Sequence, residues 1–308
     1  MASLRGVLQA GVHHTGINSN LAAGLMLSAC LASTAFSQTA PQTSAQPPAQ
    51  TTKKEYRFAV GARPNISVDT QNGAISVKPG NNNQIVVTAT IKSANVEVDR
   101  QQTGERIDIA THVLQGAGQQ TGQIDYDVLV PAGATVSLHS STGPISAERL
   151  QGDMTLEGTD AVVDIRTINN GHVHVRTMRG PITLTDVRNG HVEISSISGD
   201  VHLKSVTGPR VQANSGSGKI FYDGDFGSGG DYKFTTHTGD IEALAPAYVS
   251  ADFKAHSVLG RVQNDFPLHP QHSRFSEEAG RSFFGTAGNA GSSVVLRSFS
   301  GKIRLKQR

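Results

Sequence analysis

The sequence predicts an all-β chain built as a single β-solenoid, β-helix-like, with coils of about 19–21 residues and less regular strands ahead of them. Three observations carry this. The chain has 33 glycines, 5% aromatic residues and no tryptophan, which suits many short strands joined by tight turns rather than a helical core. Residues 171–184 (GHVHVRTMRGPITL) and 190–203 (GHVEISSISGDVHL) align without a gap at a shift of 19. Extending that register produces two glycine columns. One runs through Gly152, Gly171, Gly190 and Gly208; the other runs through Gly143, Gly180, Gly199 and Gly218, with Ala161 in the missing place.

Taken in order, the chain opens on a segment that reads as targeting rather than fold. Residues 21–36 (LAAGLMLSACLASTAF) form an apolar, small-residue run, preceded by Arg5 as the only Lys or Arg. The run is short for a transmembrane helix and fits the apolar core of a secretory signal. Ala35 and Ser37 offer a cleavage site before Gln38, so residues 1–37 are predicted to be a signal peptide. A second reading stays open: Leu27-Ser28-Ala29-Cys30 is a lipobox, and Cys30 would then carry lipid and become the N-terminus. No other segment is long and apolar enough to span a membrane as a helix. Cys30 is the only cysteine, so the fold has no internal disulfide. Both readings place the protein outside the cytoplasm, in the periplasm, the cell envelope or the medium.

Residues 38–52 (QTAPQTSAQPPAQTT) have no charge and three prolines, which marks a disordered linker. The folded domain is expected over 53–308. From residue 56 to residue 130, apolar and polar residues alternate in short runs such as Ile85-Val86-Val87-Thr88-Ala89, the period of half-buried strands. Asn72-Gly73, Pro79-Gly80 and Thr103-Gly104 punctuate them as turns.

Between residues 142 and 222 each half-repeat is one short strand and one turn. The pattern is Gly-x-apolar-x-apolar-x-x-apolar, as in Ile182, Leu184, Val187, then Val192, Ile194, Ile197, then Val201, Leu203, Val206. One coil cannot bury its own apolar face, so equivalent inward residues must stack in columns. Ile145, Val163, Ile182, Val201 and Ile220 make one; Ala147, Ile165, Leu184, Leu203 and Tyr222 make its neighbour. The glycines are expected where a turn needs positive φ or close backbone approach. The pattern recurs at Gly239 and Gly260, breaks over 264–292 as a loop or cap, and returns at residues 294–303, with Gly301, as a last coil. Within the break, Phe283-Phe284 is either an exposed contact patch or part of the cap.

These residues resemble a known group. Residues 126–134 (YDVLVPAGA), followed by Thr142-Gly143-Pro144-Ile145, look like the start of the bacterial putative adhesin domain family, a domain of unknown function. Ser198-Gly199-Asp200-Val201, Ser217-Gly218-Lys219-Ile220, Thr238-Gly239-Asp240-Ile241 and Ser300-Gly301-Lys302-Ile303 are similar to that family's repeat. The resemblance spans residues 55–306 and implies a β-solenoid. It carries no catalytic or binding residue across.

Lys plus Arg is 27 against 25 for Asp plus Glu, which gives no reason to expect a nucleic-acid partner. Lys302, Arg304, Lys306 and Arg308 share one strand face or fray into solvent. Carbohydrate-active β-helices need clustered carboxylates. The outward columns Ser146, Asp164, Thr183, His202 and Thr155, His174, Glu193, Gln212 stack no two of them. Ser215-Gly216-Ser217-Gly218 is a Ser/Gly turn rather than a nucleophile elbow, and Gly227-Ser228-Gly229-Gly230 lacks the Lys of a phosphate loop.

The sharpest polar constellation is Asp153, His172 and His191 in one column, a candidate Zn²⁺ site whose plainer reading is an exposed polar ladder. The expectation is therefore a protein with no catalytic residues and no cofactor, acting as an adhesion, binding or scaffolding surface toward an envelope glycan or surface protein. Two alternatives are a carbohydrate-active β-helix with its site in residues 223–292 and a metal-binding envelope protein. Membrane attachment is expected only through lipid on Cys30.

Overall fold

A computed structural model describes residues 51–81, 83–93, 95–114, 122–269 and 280–308; the signal segment, Cys30 and most of the linker lie outside the described residues. Among these residues there is no helix. The strands form two twelve-stranded sheets with the apolar core between them. In the regular coils successive strands alternate between the sheets. Ile145–Glu148, Val163–Asn169, Ile182–Arg188 and Val201–Val206 belong to the first; Met154–Gly158, His172–Thr177, His191–Ser196 and Arg210–Ser215 belong to the second. Pairing is parallel and in register: Val163 is opposite Ile182, Ile182 opposite Val201 and Val201 opposite Ile220. Ile165, Leu184, Leu203 and Tyr222 are aligned in the same way. The protein is thus an all-β solenoid whose two predicted apolar columns are ladder neighbours, all of them buried.

The two half-repeats reach their turns differently. In the first sheet Thr167, Asp186 and Ser205 adopt left-handed backbone, with φ of 56°, 58° and 52°. This inserts one extra outward residue, so the inward positions step from Leu184 to Val187 and from Leu203 to Val206. In the second sheet alternation continues unbroken, and the expected inward Ile197 is instead 59% exposed while Ser196 is buried. The hydroxyl explains the exchange. Ser196 Oγ accepts the backbone N–H of Gly199 at 2.8 Å. Ser215 does the same for Gly218 at 2.9 Å, Thr236 for Gly239 at 3.0 Å, Ser257 for Gly260 at 3.0 Å and Ser298 for Gly301 at 2.8 Å. A side-chain oxygen inside the corner satisfies a donor that the ladder leaves unpaired.

Among the column glycines only Gly143 has positive φ, at 127°. The others stand where backbones approach closely: a Cβ at Gly180 would sit 1.7 Å from the Ala161 carbonyl oxygen, and one at Gly301 1.8 Å from that of Gly239.

Both ends depart from the expected order. Asn65–Asn72 and Ile75–Pro79 are not a preamble; they stack directly on Thr135–Thr142 and Ile145–Glu148, with Ile66 opposite Val136 and Ile75 opposite Ile145. Beyond them the strands turn antiparallel and close the stack, Thr52–Ala59 against Gln84–Ile91 and Val96–Thr103 against Arg106–Val113. The outer strands carry Lys53, Lys54, Glu97 and Asp99, charges that discourage edge pairing.

At the other end the predicted last coil is not outermost. Ser293–Ser298 lies between Asp231–Thr236 and Ala251–Ser257, and Ile303–Gln307 between Ile241–Ala245 and Val262–Asn264. The chain skips one rung and returns to fill it. Ser282–Ala287 then pairs antiparallel with Ala251–Ser257 at the end of the sheet. The C-terminal cations do not fray: Arg304 and Lys306 reach Glu242 at 3.5 and 2.8 Å, and Arg308 reaches Asp223 at 3.1 Å.

Candidate binding surfaces

Because inward residues alternate with outward ones, every outward position of the second sheet forms a ladder along the stack. Asp153, His172 and His191 share such a ladder, as their spacing predicts. Asp153 Oδ1 accepts the backbone N–H of His172 at 2.9 Å. The same device recurs where Asp200 receives Lys219 N–H and Asp240 receives Lys302 N–H, both at 2.8 Å. Asp153, Asp200 and Asp240 thus each tie a turn to the next coil.

The imidazoles of His172 and His191 stack with centroids 4.7 Å apart, and His174 lies 3.6 Å from Glu193 in the neighbouring ladder. With Arg210 these side chains line a shallow depression of about 260 Å³. Among the described residues no group of three or more His, Cys, Asp or Glu side chains is placed to hold a metal ion.

Several of the remaining sequence candidates have structural partners. Phe283 packs against the core from the edge strand. In the described part of residues 223–292, Asp223 pairs with Arg308, and Asp225 accepts the backbone N–H of Gly227 at 3.1 Å. Tyr222, whose hydroxyl bonds the carbonyls of Val206 and Asp225, is so buried that its ionisation is pushed far up.

A second surface was not singled out from the sequence. The turns that lead from the second sheet back to the first are aligned along one corner, reading x-x-Gly-x after a buried Ser or Thr, except that one turn has Gly158 in place of the hydroxyl residue and Ala161 in place of the glycine. Nine large apolar side chains are exposed among the described residues, and six of them lie on this corner: Val162, Met178, Ile197, Val258, Leu259 and Phe299. Concentration on one edge sets them apart from the scattered apolar exposure of an ordinary surface.

Beside the corner runs a groove of about 400 Å³, with His237, Phe299 and Val258 on one side and Thr235, Arg297 and His256 on the other. The rings of His237 and Phe299 stack at 4.8 Å, 9° from parallel. The sequence does carry a signal for this corner, an apolar residue two before the turn glycine in Thr177-Met178-Arg179-Gly180, Ser196-Ile197-Ser198-Gly199 and Ser298-Phe299-Ser300-Gly301.

The geometry defines a two-sheet β-solenoid with ladder faces and one apolar edge. The chain belongs to the Toastrack DUF4097 family, whose model matches residues 64–306, in agreement with the adhesin-like domain of unknown function that its turns resemble. Two solved structures are similar. A putative cell adhesion protein from Clostridium sporogenes ATCC 15579 is 10% identical, with 83% of this chain and 100% of that chain covered and a TM-score of 0.28. A putative adhesin from Bacteroides fragilis NCTC 9343 is 10% identical, with 83% of this chain and 98% of that chain covered and a TM-score of 0.48. No curated protein matches the chain.

Proposed function

We propose that this protein is a non-enzymatic surface module that acts outside the cytoplasm as an adhesion, binding or scaffolding element of the cell envelope. The observation that carries the reading is the apolar corner: six of nine exposed large apolar side chains gathered on one edge of a rigid ladder stack. Such a stripe is costly to leave in water and is the ordinary mark of a docking surface. The corner's turns are fixed by buried hydroxyls and by glycines without room for a side chain, so the stripe is held ready before a partner arrives.

The partner class is an envelope glycan or a surface protein. Delivery rests on residues 21–36, with release by cleavage before Gln38 or anchoring through lipid on Cys30. Mass spectrometry of the mature N-terminus separates these two, since a chain starting at Gln38 rejects the lipid.

The test is a binding screen of the chain against envelope fractions and a glycan set, with polysaccharide cleavage assayed in parallel. Wild type should bind, and Ile197→Asp and Phe299→Asp should weaken binding at unchanged melting temperature. Turnover of a polysaccharide, or binding indifferent to both substitutions, would overturn the reading.

A further inference from the structure

We infer that the apolar corner docks against the same corner of a second copy of this chain, with the two stacks antiparallel about a two-fold axis between the Gly216 and His237 turns. The inference rests on reading the corner as a binding surface and names its partner. Pitch comes first. Turns along a parallel ladder repeat at about 4.8 Å. A second copy repeats at the same spacing and can therefore match it rung for rung.

The order of side chains supplies the rest. In stack order, the outward row at this corner begins with the polar Gln71, Ser141 and Thr159 and then runs Met178, Ile197, Gly216, His237, Phe299, Val258 to the end of the ladder. Reversed onto itself, this row sets Met178 against the partner's Val258 and Ile197 against the partner's Phe299. The notch left by Gly216 then faces the partner's His237 ring. Within this row every apolar side chain from Met178 to Val258 meets another and the one gap meets a ring; Val162 and Leu259 lie outside the row.

The row just past the turn glycines is independent of the first and selects the same register. It reads Pro181, Asp200, Lys219, Asp240, Lys302, Arg261, so its four central residues alternate acid and base. About the same axis Asp200 faces the partner's Lys302, and Lys219 faces the partner's Asp240. Each pair occurs twice, as a two-fold requires. A slip of one rung either way puts Lys219 opposite a lysine and Asp240 opposite an aspartate, so repulsion guards the alignment. Among the described residues neither Lys219 nor Lys302 has an ion-pair partner within the chain. Asp200 uses one oxygen on the Lys219 N–H. The contact is narrow, and interfaces under about 1,200 Å² in total are those of weak, reversible complexes, so association should depend on concentration.

Sedimentation velocity on the full chain over a wide concentration range should show a monomer–dimer equilibrium. Ile197→Asp should weaken it by about tenfold or more, a hot-spot-sized effect. Asp200→Lys and Lys302→Glu should each weaken it, and the two together should restore it, because these positions meet only across the axis. In a Cys30→Ser background, mixed Ile197→Cys and Phe299→Cys chains should form disulfide dimers that neither forms alone. This reports register even if a charge variant folds poorly. A chain monomeric at every concentration, a dimer indifferent to Ile197→Asp, or cross-links formed equally by the single variants would overturn the proposal. Envelope binding by chains that stay monomeric would overturn self-docking while leaving the binding-surface reading in place.

Discussion

From residue 145 to residue 215 the buried apolar positions are Ile, Val, Leu, Ala and Met154, whereas between Tyr222 and Phe266 six aromatic rings occupy the same interior. The two regions also differ in how the chain visits them. In the regular coils the order along the stack is the order along the chain, and each new coil covers the one before. In the C-terminal region the coil of residues 293–307 is inserted between two coils made earlier. Uniform coils need only small branched side chains, because every rung repeats the same spacing. Where the connections lengthen, rings fill the extra volume. Phe226, carried on the loop after Asp223, lies 4.5 Å from Tyr222, 5.0 Å from Tyr232 and 5.6 Å from Phe253, and so spans the inserted rung.

That difference can be broken at its centre. Phe253→Ala removes a buried ring that touches both Phe226 and Phe266 and should cost about 3–5 kcal/mol. Hydrogen exchange should show the loss confined to residues 231–308, with protection in 163–206 retained, since repeat stacks transmit stability through nearest neighbours. Uniform loss across the whole stack would show that the halves form one cooperative unit.

The regular coils have their own weak point. Gly180→Ala places a Cβ against the Ala161 carbonyl, and backbone cannot move aside without opening the ladder. A loss of about 3 kcal/mol or more is expected, read by urea denaturation. Gly229→Ala, at a position with φ of 77° and open space, should cost about 1 kcal/mol for backbone strain alone. Equal costs would show that the glycine columns serve turn conformation rather than close approach.

Alkaline pH should separate the regions next. Burial raises the ionisation of Tyr126 and Tyr232 from 10.0 to about 12, and that of Tyr222 further. A neutral phenol favoured in the folded state stabilises fully below the unfolded value, and that stability is lost as pH rises through the folded one. Denaturation should therefore begin between pH 10 and 12 at the ends of the stack, because residues 145–215 contain no tyrosine. Tyr232→Phe should delay it in the C-terminal region; an unchanged alkaline transition would assign the effect to other groups.

The inward columns and the paired glycines were legible because a shift of 19 residues brings equivalent side chains to the same rung, and ladder register then follows from the pattern. The fate of Ile197 was not legible from apolarity alone. A strand-like Ile next to a Ser reads as the inward member, yet the hydroxyl wins the interior because it closes the Gly199 turn. The Ser or Thr three residues before Gly143, Gly180, Gly199, Gly218, Gly239, Gly260 and Gly301, and absent before Gly152, Gly171 and Gly190, was present in the sequence as a signal, and with it the outward apolar corner could have been found. The insertion of residues 293–307 had no such signal. A coil matches its neighbours through the same motif wherever it is placed, and only pairings such as Lys306 with Glu242 distinguish one slot from another.

The smallest effect is expected where the polar ladder looked most like a site. His172 and His191 stack in solvent, and the carboxylate between coils already serves the His172 backbone N–H, which survives replacement of the side chain. His172→Ala should therefore change stability by within about 0.5 kcal/mol, as for surface substitutions generally, and Zn²⁺ should leave the melting temperature of both proteins unchanged. A Zn²⁺-dependent rise that His172→Ala abolishes would make this ladder a metal site. It would also mean that the exposed ladder face of the regular coils carries a binding function.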